Sequence, residues 1–374
     1  MRNVVITGTG CICPLGRNKN DIVNKLKTGS EGYIKEGFFR IPEEILQFDR
    51  INKTGEISVD IAQIAFLDSL HDAGLKINDI PDNSMVVFSS SKGGLNSLFS
   101  ACFDKTDIDK KIMNYLPCSA LQAVCALIQK PLPAVNVISA CSTGLYSIIQ
   151  AYHAIKEGAE LAVAGTTESS IIPVIVNGFK NMKVISQEKI RPFDKNRTGF
   201  IMGEGAGCLI LEEEERALAR NANIYARITG FGRNTDINHA TALSVKGEPI
   251  AAAIINALQN DYHLDWINAH GTATRLNDEA EYNAFNLVFN EKIEHIPVNS
   301  FKPYIGHLLG ASSTIETIFI LYCMQENFIP GNITLESPEY ALYLSQERID
   351  KILKRVLKLS HGFGGHIGAL VLEK

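Results

Sequence analysis

The sequence contains no long apolar run. A bilayer-spanning helix needs roughly 20 apolar residues, and the most apolar stretch, residues 318–324, follows closely on Glu316. Met1-Arg2-Asn3 lead straight into Val4, Val5 and Ile6, without the apolar segment and cleavage site of a secretory leader. The expectation is a soluble, cytoplasmic protein with no membrane span. Excess positive charge is missing as well: 36 Lys and Arg against 41 Asp and Glu leave a formal charge of −5. That balance points to no nucleic-acid groove and no anionic membrane partner. The eight cysteines lack paired spacing, because Cys11 and Cys13 stand too close for a zinc ribbon and no second pair follows. Neither a metal nor a disulfide framework is expected, and most thiols read as core or loop residues in a reducing compartment. The first apolar segment, residues 4–10, ends in a glycine turn without GxGxxG or GKS/T, and Asn268-Ala269-His270 is not an HExxH helix.

What is present is enough for a large core. The chain has 374 residues, 45% of them hydrophobic, so two domains or one fused unit are expected. Short apolar strands at residues 4–10, 85–88, 161–165, 208–211, 224–231, 266–267 and 367–372 alternate with helical patterns. Helices are predicted over residues 57–70 and 112–130, after Leu145, over 250–258, and after residues 272 and 310. Residues 20–55 are polar and mixed, with Arg50 and Lys53 near a helix start, and residues 173–187 read as an irregular cover segment. This alternation predicts an α/β protein with mostly parallel or mixed sheets under helices. The halves 1–215 and 216–374 look alike in plan, although no sequence repeat is visible, and their shared interface is a natural site.

The central stretch runs from Val135 to Glu157. Val135, Val137, Ile138 and Ala140 predict a buried strand that stops at Cys141. Leu145, Ile148, Ile149, Tyr152 and Ile155 then repeat at the spacing of one buried helix face. A cysteine at such a corner faces the unpaired N–H groups of a helix start, which should lower its thiol pKa and activate it. Its alternative is a small buried hydrophobe. Three further polar corners end in His270, in Lys302 with His307, and in the glycine turn around Phe363. A thiol with two histidines suits acyl transfer: sulfur takes the acyl group and imidazole N–H groups steady the developing oxyanion.

At these residues the chain resembles the β-ketoacyl synthases, the condensing enzymes of fatty-acid and dissociated polyketide synthesis. The likeness starts at Val4-Val5-Ile6-Thr7-Gly8-Thr9-Gly10 and runs through Ala140-Cys141-Ser142-Thr143-Gly144, Arg191-Pro192-Phe193-Asp194 and Gly203-Glu204-Gly205-Ala206-Gly207. It continues through Asn268-Ala269-His270-Gly271-Thr272-Ala273-Thr274 with Asn277-Asp278, Lys302, Gly306-His307 and Gly362-Phe363-Gly364-Gly365.

The resemblance implies a thiolase-like fold of two similar halves in five layers, α-β-α-β-α, as a two-fold dimer. It implies Cys141 as acyl acceptor, with His270 and His307 driving decarboxylation of a malonyl unit. Lys302 would set the local electrostatics with Glu281 as its supporting carboxylate, and Asp278 would support the site. The N–H groups of Cys141 and Phe363 would form the oxyanion hole, with Phe363 as a gate between the acyl and malonyl chambers and Gly362 and Gly364 in support. Acyl carrier protein would be the partner, presenting substrates on its phosphopantetheine arm, and no further cofactor is implied. A homodimer, a heterodimer with a chain-length-factor homologue, and a non-catalytic scaffolding subunit all remain open.

Departures from the family pattern at Leu359, His361, Ile367, Thr198 and Ser312 are expected to bear on the acyl pocket and its cover. His361 beside Phe363 implies a more polar chamber, suited to an oxidised or unsaturated chain.

Overall fold

Why the chain folds into layers follows from where its apolar residues fall. The structure, a computed structural model, describes residues 2–47, 51, 53–103 and 112–374. Arg50 lies outside them. Ten strands form one mixed sheet: β1 (Val4–Ile12), β2 (Ser84–Ser89), β3 (Ala134–Val135), β4 (Leu161–Glu168), β5 (Gly205–Glu213), β6 (Ala226–Thr235), β7 (Trp266–Asn268), β8 (Val298–Asn299), β9 (Arg355–Gly362) and β10 (His366–Glu373). Their order is β8-β7-β9-β10-β6-β1-β5-β4-β2-β3.

The join at its middle is slight, since β1 meets β6 only at Val5↔Arg227 and Ile6↔Ala226. On either side of that join the plan repeats. β1-β5-β4-β2-β3 and β6-β10-β9-β7-β8 follow the same order, with two antiparallel pairings and then two parallel ones.

Three helix layers cover these two half-sheets. On the outer face of the first, α1 (Ile57–Asp72) and α2 (Ser119–Ile128) bury Ile61, Ile64, Ala65, Phe66 and Val124 against Val86, Phe88, Val163 and Ile210. On the outer face of the second, α5 (Glu248–Leu258) and α6 (Arg275–Phe289) bury Ile250, Ile254, Ala284 and Phe285 against Ile267, Leu357 and Val371. Between the half-sheets lie α3 (Thr143–Lys156) and α7 (Ser312–Glu326), whose residues share one core with β1, β5 and β10. A helix enclosed by sheets is buried all round and largely apolar, and α7 is: Ile315, Ile318, Phe319, Ile320, Leu321, Tyr322, Cys323 and Met324 are all buried, along with the carboxylate Glu316. The layers are α-β-α-β-α, the thiolase-like arrangement expected.

Three local expectations are corrected. The strand before Cys141 covers only Ala134–Val135. Beyond it Ser89 Oγ takes the Val137 N–H and Asn136 Nδ2 donates to the Phe88 and Pro117 carbonyls, so side chains replace the ladder and the backbone leaves the sheet. The helix over 112–130 is split, with a short turn at Ile112–Tyr115 and α2 starting after Pro117. The segment expected to be irregular contains a helix, α4 (Pro173–Asn181), with Pro173 in its first turn and Val176 and Phe179 turned inward.

Candidate active site

Cys141 sits in a tight turn, Ala140–Ser142, that feeds directly into α3. Ala140 is held at a φ of 49°, a conformation that costs a non-glycine residue about 1–3 kcal/mol. The Thr143 hydroxyl stabilises it by accepting from the Ser139 N–H at 3.0 Å and donating to the Ala140 carbonyl at 2.7 Å. From the neighbouring half-sheet, Ser360 Oγ donates to the Cys141 carbonyl at 3.3 Å and Ser142 Oγ to the His366 carbonyl at 3.2 Å. Gly362 has to be glycine for this approach, because a Cβ there would stand 2.6 Å from the Ser139 carbonyl oxygen. The turn after it places Gly364 at a φ of 83°, where glycine alone is unstrained.

The same device recurs in the second half. Leu309 has a φ of 49°, the turn Leu309–Ala311 follows, and α7 begins at Ser312. The starts of α3 and α7 abut: the Leu145 N–H donates to Ser313 Oγ at 2.8 Å, and a Cβ on Gly144 would meet Thr314 Oγ1 at 2.5 Å. The two helix starts bring Cys141 and His307 to one place.

His307 and His270 are both buried, with ring centroids 5.4 Å apart and planes at 81°. The Ser312 hydroxyl lies 2.9 Å from His307 Nδ1. A hydroxyl donating there leaves the proton on Nε2 and fixes the tautomer. The His270 ring is placed through its backbone: its N–H donates to Glu281 Oε1 at 2.7 Å and its carbonyl accepts from Lys302 Nζ. Burial pushes both imidazoles well below their ordinary pKa, and Lys302 pushes them further. They stay neutral at physiological pH.

Burial acts on the thiol in the opposite sense to the expected activation. It pushes the Cys141 pKa up, while Lys92, Lys302 and the Phe363 N–H pull it back only in part. The sulfur enters the site as a thiol, because desolvating an anion outweighs the charges that face it.

The carboxylate that pairs with Lys302 is Glu316. Lys302 Nζ lies 3.0 Å from Glu316 Oε1, and Lys358 Nζ binds Oε2 of the same group. Glu281, expected in that role, is taken up by the N–H groups of His270 and Gly271 and by Asn277 Nδ2, and its Oε1 also lies 3.4 Å from His361 Nε2. The difference is one of position: Glu281 comes from α6, outside the second half-sheet, whereas Glu316 rises from α7 between the half-sheets. Asp278 is buried one turn before Glu281 and accepts the Phe193 N–H at 2.7 Å, tying α6 to the Arg191-Pro192-Phe193-Asp194 segment. Burial lifts its pKa to about 7.

A cavity of about 310 Å³ opens onto this group, lined by Cys141, His270, His307, His361, Gly362 and Phe363. Phe179 of α4 closes it from the side, with its ring 6.2 Å from Phe363 and 5.5 Å from Phe200. His361 stands with its ring 5.2 Å from that of His270. Thr198 lines the same space and donates to Ser186 Oγ at 2.9 Å. Of the other departures, Leu359 and Ile367 pack in the outer core with α5 and α6 and do not line this cavity, and Ser312 serves His307. Sequence reading missed Glu316 and Lys358. Glu316 in an otherwise apolar helix was the one available signal, since a carboxylate there needs a buried cation.

Among the described residues no group of three or more His, Cys, Asp or Glu side chains is arranged to hold a metal ion, and no helix is long and apolar enough to cross a membrane. The arrangement offers a nucleophilic sulfur, two neutral imidazoles and an apolar chamber, which are the parts of an acyl-transfer site.

Comparison with known proteins gives a family and a fold. Residues 46–217 match the family model "Beta-ketoacyl synthase, N-terminal domain" and residues 225–336 match "Beta-ketoacyl synthase, C-terminal domain". The chain is 31% identical to 3-oxoacyl-[acyl-carrier-protein] synthase 2 of Coxiella burnetii, over all of this chain and 99% of that one. It is 29% identical to a putative polyketide beta-ketoacyl synthase 1 of Streptomyces halstedii, over 99% and 98%. Among solved structures, it superposes with a TM-score of 0.91 and 25% identity on a chain of a type II polyketide acyl-carrier protein in complex with its ketosynthase bound to the hexaketide, covering 100% and 99%. The ishigamide ketosynthase/chain length factor gives 0.89 and 25%, again over 100% and 99%.

Proposed function

Because this chain belongs to the β-ketoacyl synthase family, we propose that it catalyses the decarboxylative condensation of malonyl-acyl-carrier protein with an acyl group held on Cys141, giving a 3-oxoacyl chain two carbons longer. The observation that carries this reading is the meeting of Cys141, His270, His307 and Phe363 around one cavity.

The Cys141 sulfur attacks the acyl-carrier thioester. A carbon–sulfur bond forms, the bond to the carrier sulfur breaks, and the thiol proton leaves on the carrier thiol. Malonyl-carrier then takes its place. As the bond to carbon dioxide breaks, its electron pair moves into an enolate, whose oxygen is held by the N–H groups of His270 and His307. Neutral imidazoles suit that task, because they donate without surrendering the proton needed for the hydrogen bond. The enolate carbon attacks the acyl carbonyl on Cys141, with its oxygen directed at the N–H groups of Cys141 and Phe363. Collapse releases the 3-oxoacyl-carrier and a thiolate, which regains a proton from water. Metal and redox steps have no place in this sequence. The substrate arm would enter beside Phe363, which acts as the gate, and the acidic carrier would dock on basic groups at the mouth. A cytoplasmic location fits such a carrier-dependent enzyme.

The fatty-acid or polyketide setting follows the names of the relatives, and a two-fold dimer is part of this proposal. A second reading makes this chain the ketosynthase of a heterodimer with a chain-length partner, favoured by its likeness to the ishigamide pair. A non-catalytic scaffold has no use for the aligned thiol and imidazoles. His361, polar where it meets the chamber, favours oxidised or unsaturated chains.

The test is product formation: purified protein with acyl-carrier and malonyl-carrier yields the 3-oxoacyl-carrier, and its absence with every acyl length and saturation, alone or with a co-purified partner, would overturn the proposal. Ser312→Ala provides a finer check. Losing the hydroxyl leaves His307 Nδ1 unpaired and its tautomer free, so condensation should fall about tenfold, the worth of one buried hydrogen bond. Acylation of Cys141, followed by mass, should be unaffected.

A further inference from the structure

Lys358 takes no part in the reaction as written, yet it is fully buried. On β9 it alternates with Leu359, so that Leu359 faces the outer core while Lys358 points between the half-sheets, where its Nζ reaches Glu316 Oε2. Lys302 Nζ holds the other oxygen of Glu316 and also donates to the His270 carbonyl. All three side chains are at most 1% exposed. One lysine would neutralise Glu316. Two leave a net positive charge in a dry interior, an arrangement that costs stability and calls for another reason to be there.

The reason lies in what the cluster faces. The His270 ring lies against those of His307 and His361, with Lys302 on its carbonyl and Glu281 on its backbone N–H; the positive charges that act on it are Lys302 and Lys358, and those that act on His307 are Lys302, Lys92 and Lys358. Lys358 itself faces Glu316, Lys302 and Glu281, and burial lowers its pKa to about 8. Were Glu316 shared with Lys302 alone, the pair would be close to neutral and the histidines would feel little of it.

Resting on the condensation proposed above, we propose that Lys358 is a positioning residue: by occupying one oxygen of Glu316 it leaves the Lys302 ammonium uncancelled, and so holds His270 and His307 as neutral hydrogen-bond donors during decarboxylation. The direction of the effect is fixed by sign. Removing a positive charge raises the pKa of a nearby imidazole, so each histidine would begin to protonate at a higher pH and the acid limb of the rate profile would move upward.

The experiment measures carbon dioxide release from malonyl-acyl-carrier protein against pH for the wild type, Lys358→Met, Lys358→Gln and Lys358→Arg, beside NMR titration of the His270 and His307 rings. Lys358→Gln is included because its amide still donates to Glu316 where methionine leaves that oxygen bare. Both neutral variants should shift the acid limb up by about one pH unit, so that their loss against the wild type grows as the pH falls. Lys358→Arg should keep the wild-type limb. The same sign holds for Cys141, on which Lys302 also acts: alkylation by iodoacetamide should move to higher pH in both neutral variants and keep the wild-type profile in Lys358→Arg. An unmoved acid limb and unmoved histidine titrations in a folded neutral variant overturn the inference, as does an arginine variant that behaves like glutamine. Should the wild type release no carbon dioxide, the condensation reading is what fails, and the ring titrations still decide the charge relation.

Discussion

Cys141→Ala is expected to lose condensation by at least about 10⁴-fold, the scale seen when a covalent nucleophile is removed from a working site. No acyl group should remain on the protein after incubation with acyl-carrier substrate. Carbon dioxide release from malonyl-carrier should persist, because His270, His307 and the Phe363 N–H do not depend on the sulfur for their positions: the histidines are held by Glu281, Lys302 and Ser312. The fold should survive too, since the strained turn is closed by Thr143, Ser360 and Ser142. The measurement is a pair of assays on one variant, 3-oxoacyl product by mass and carbon dioxide by trapping. Product at a tenth of the wild-type rate would contradict the assignment.

His270→Ala and His307→Ala should give the complementary result. Each is expected to reduce condensation by about 10²–10³-fold, what an oxyanion donor is worth, while Cys141 still loads its acyl group within about tenfold of the wild-type rate. For His270 the substitution is unusually clean. Glu281 grips its backbone N–H and Lys302 its carbonyl, so both buried charges keep their partners when the ring is removed. A variant that neither loads nor condenses would mean that the histidines serve the thiol, and that the division of labour is wrong. Single-turnover loading followed by malonyl-carrier addition separates the two steps.

Much of this was legible in the chain because its signals are local. The period of Leu145, Ile148, Ile149, Tyr152 and Ile155 gives α3 and its buried face, and the short apolar runs give the alternation of strand and helix that folds into paired half-sheets. Four polar corners at the ends of such runs pointed to Cys141, His270, His307 and Phe363, which meet at one cavity. What escaped is set by contacts distant in sequence. The run into Cys141 reads as strand, but Ser89, 48 residues before Val137, takes the hydrogen bond that a ladder would need. Lys302 reads as wanting a carboxylate, and only the packing of α7 between the half-sheets makes that partner Glu316 and adds Lys358 on its far side. The thiol pKa failed for a related reason: a helix start is visible in sequence, whereas the depth at which it is buried is not. Leu359 and Ile367 likewise look like pocket residues by proximity to the glycine turn, and they share a strand face with His361, yet they pack into the core beside α5 and α6.

The condensation account depends on sulfur 141 carrying the growing chain. Intact-protein mass spectrometry after incubation with acyl-carrier substrate, followed by peptide mapping, tests this directly. A single adduct of the acyl mass on the peptide containing Cys141, absent from Cys141→Ala and discharged when malonyl-carrier is added, is the predicted result. An adduct elsewhere, or turnover to 3-oxoacyl product with no adduct on Cys141 at any time, would contradict it.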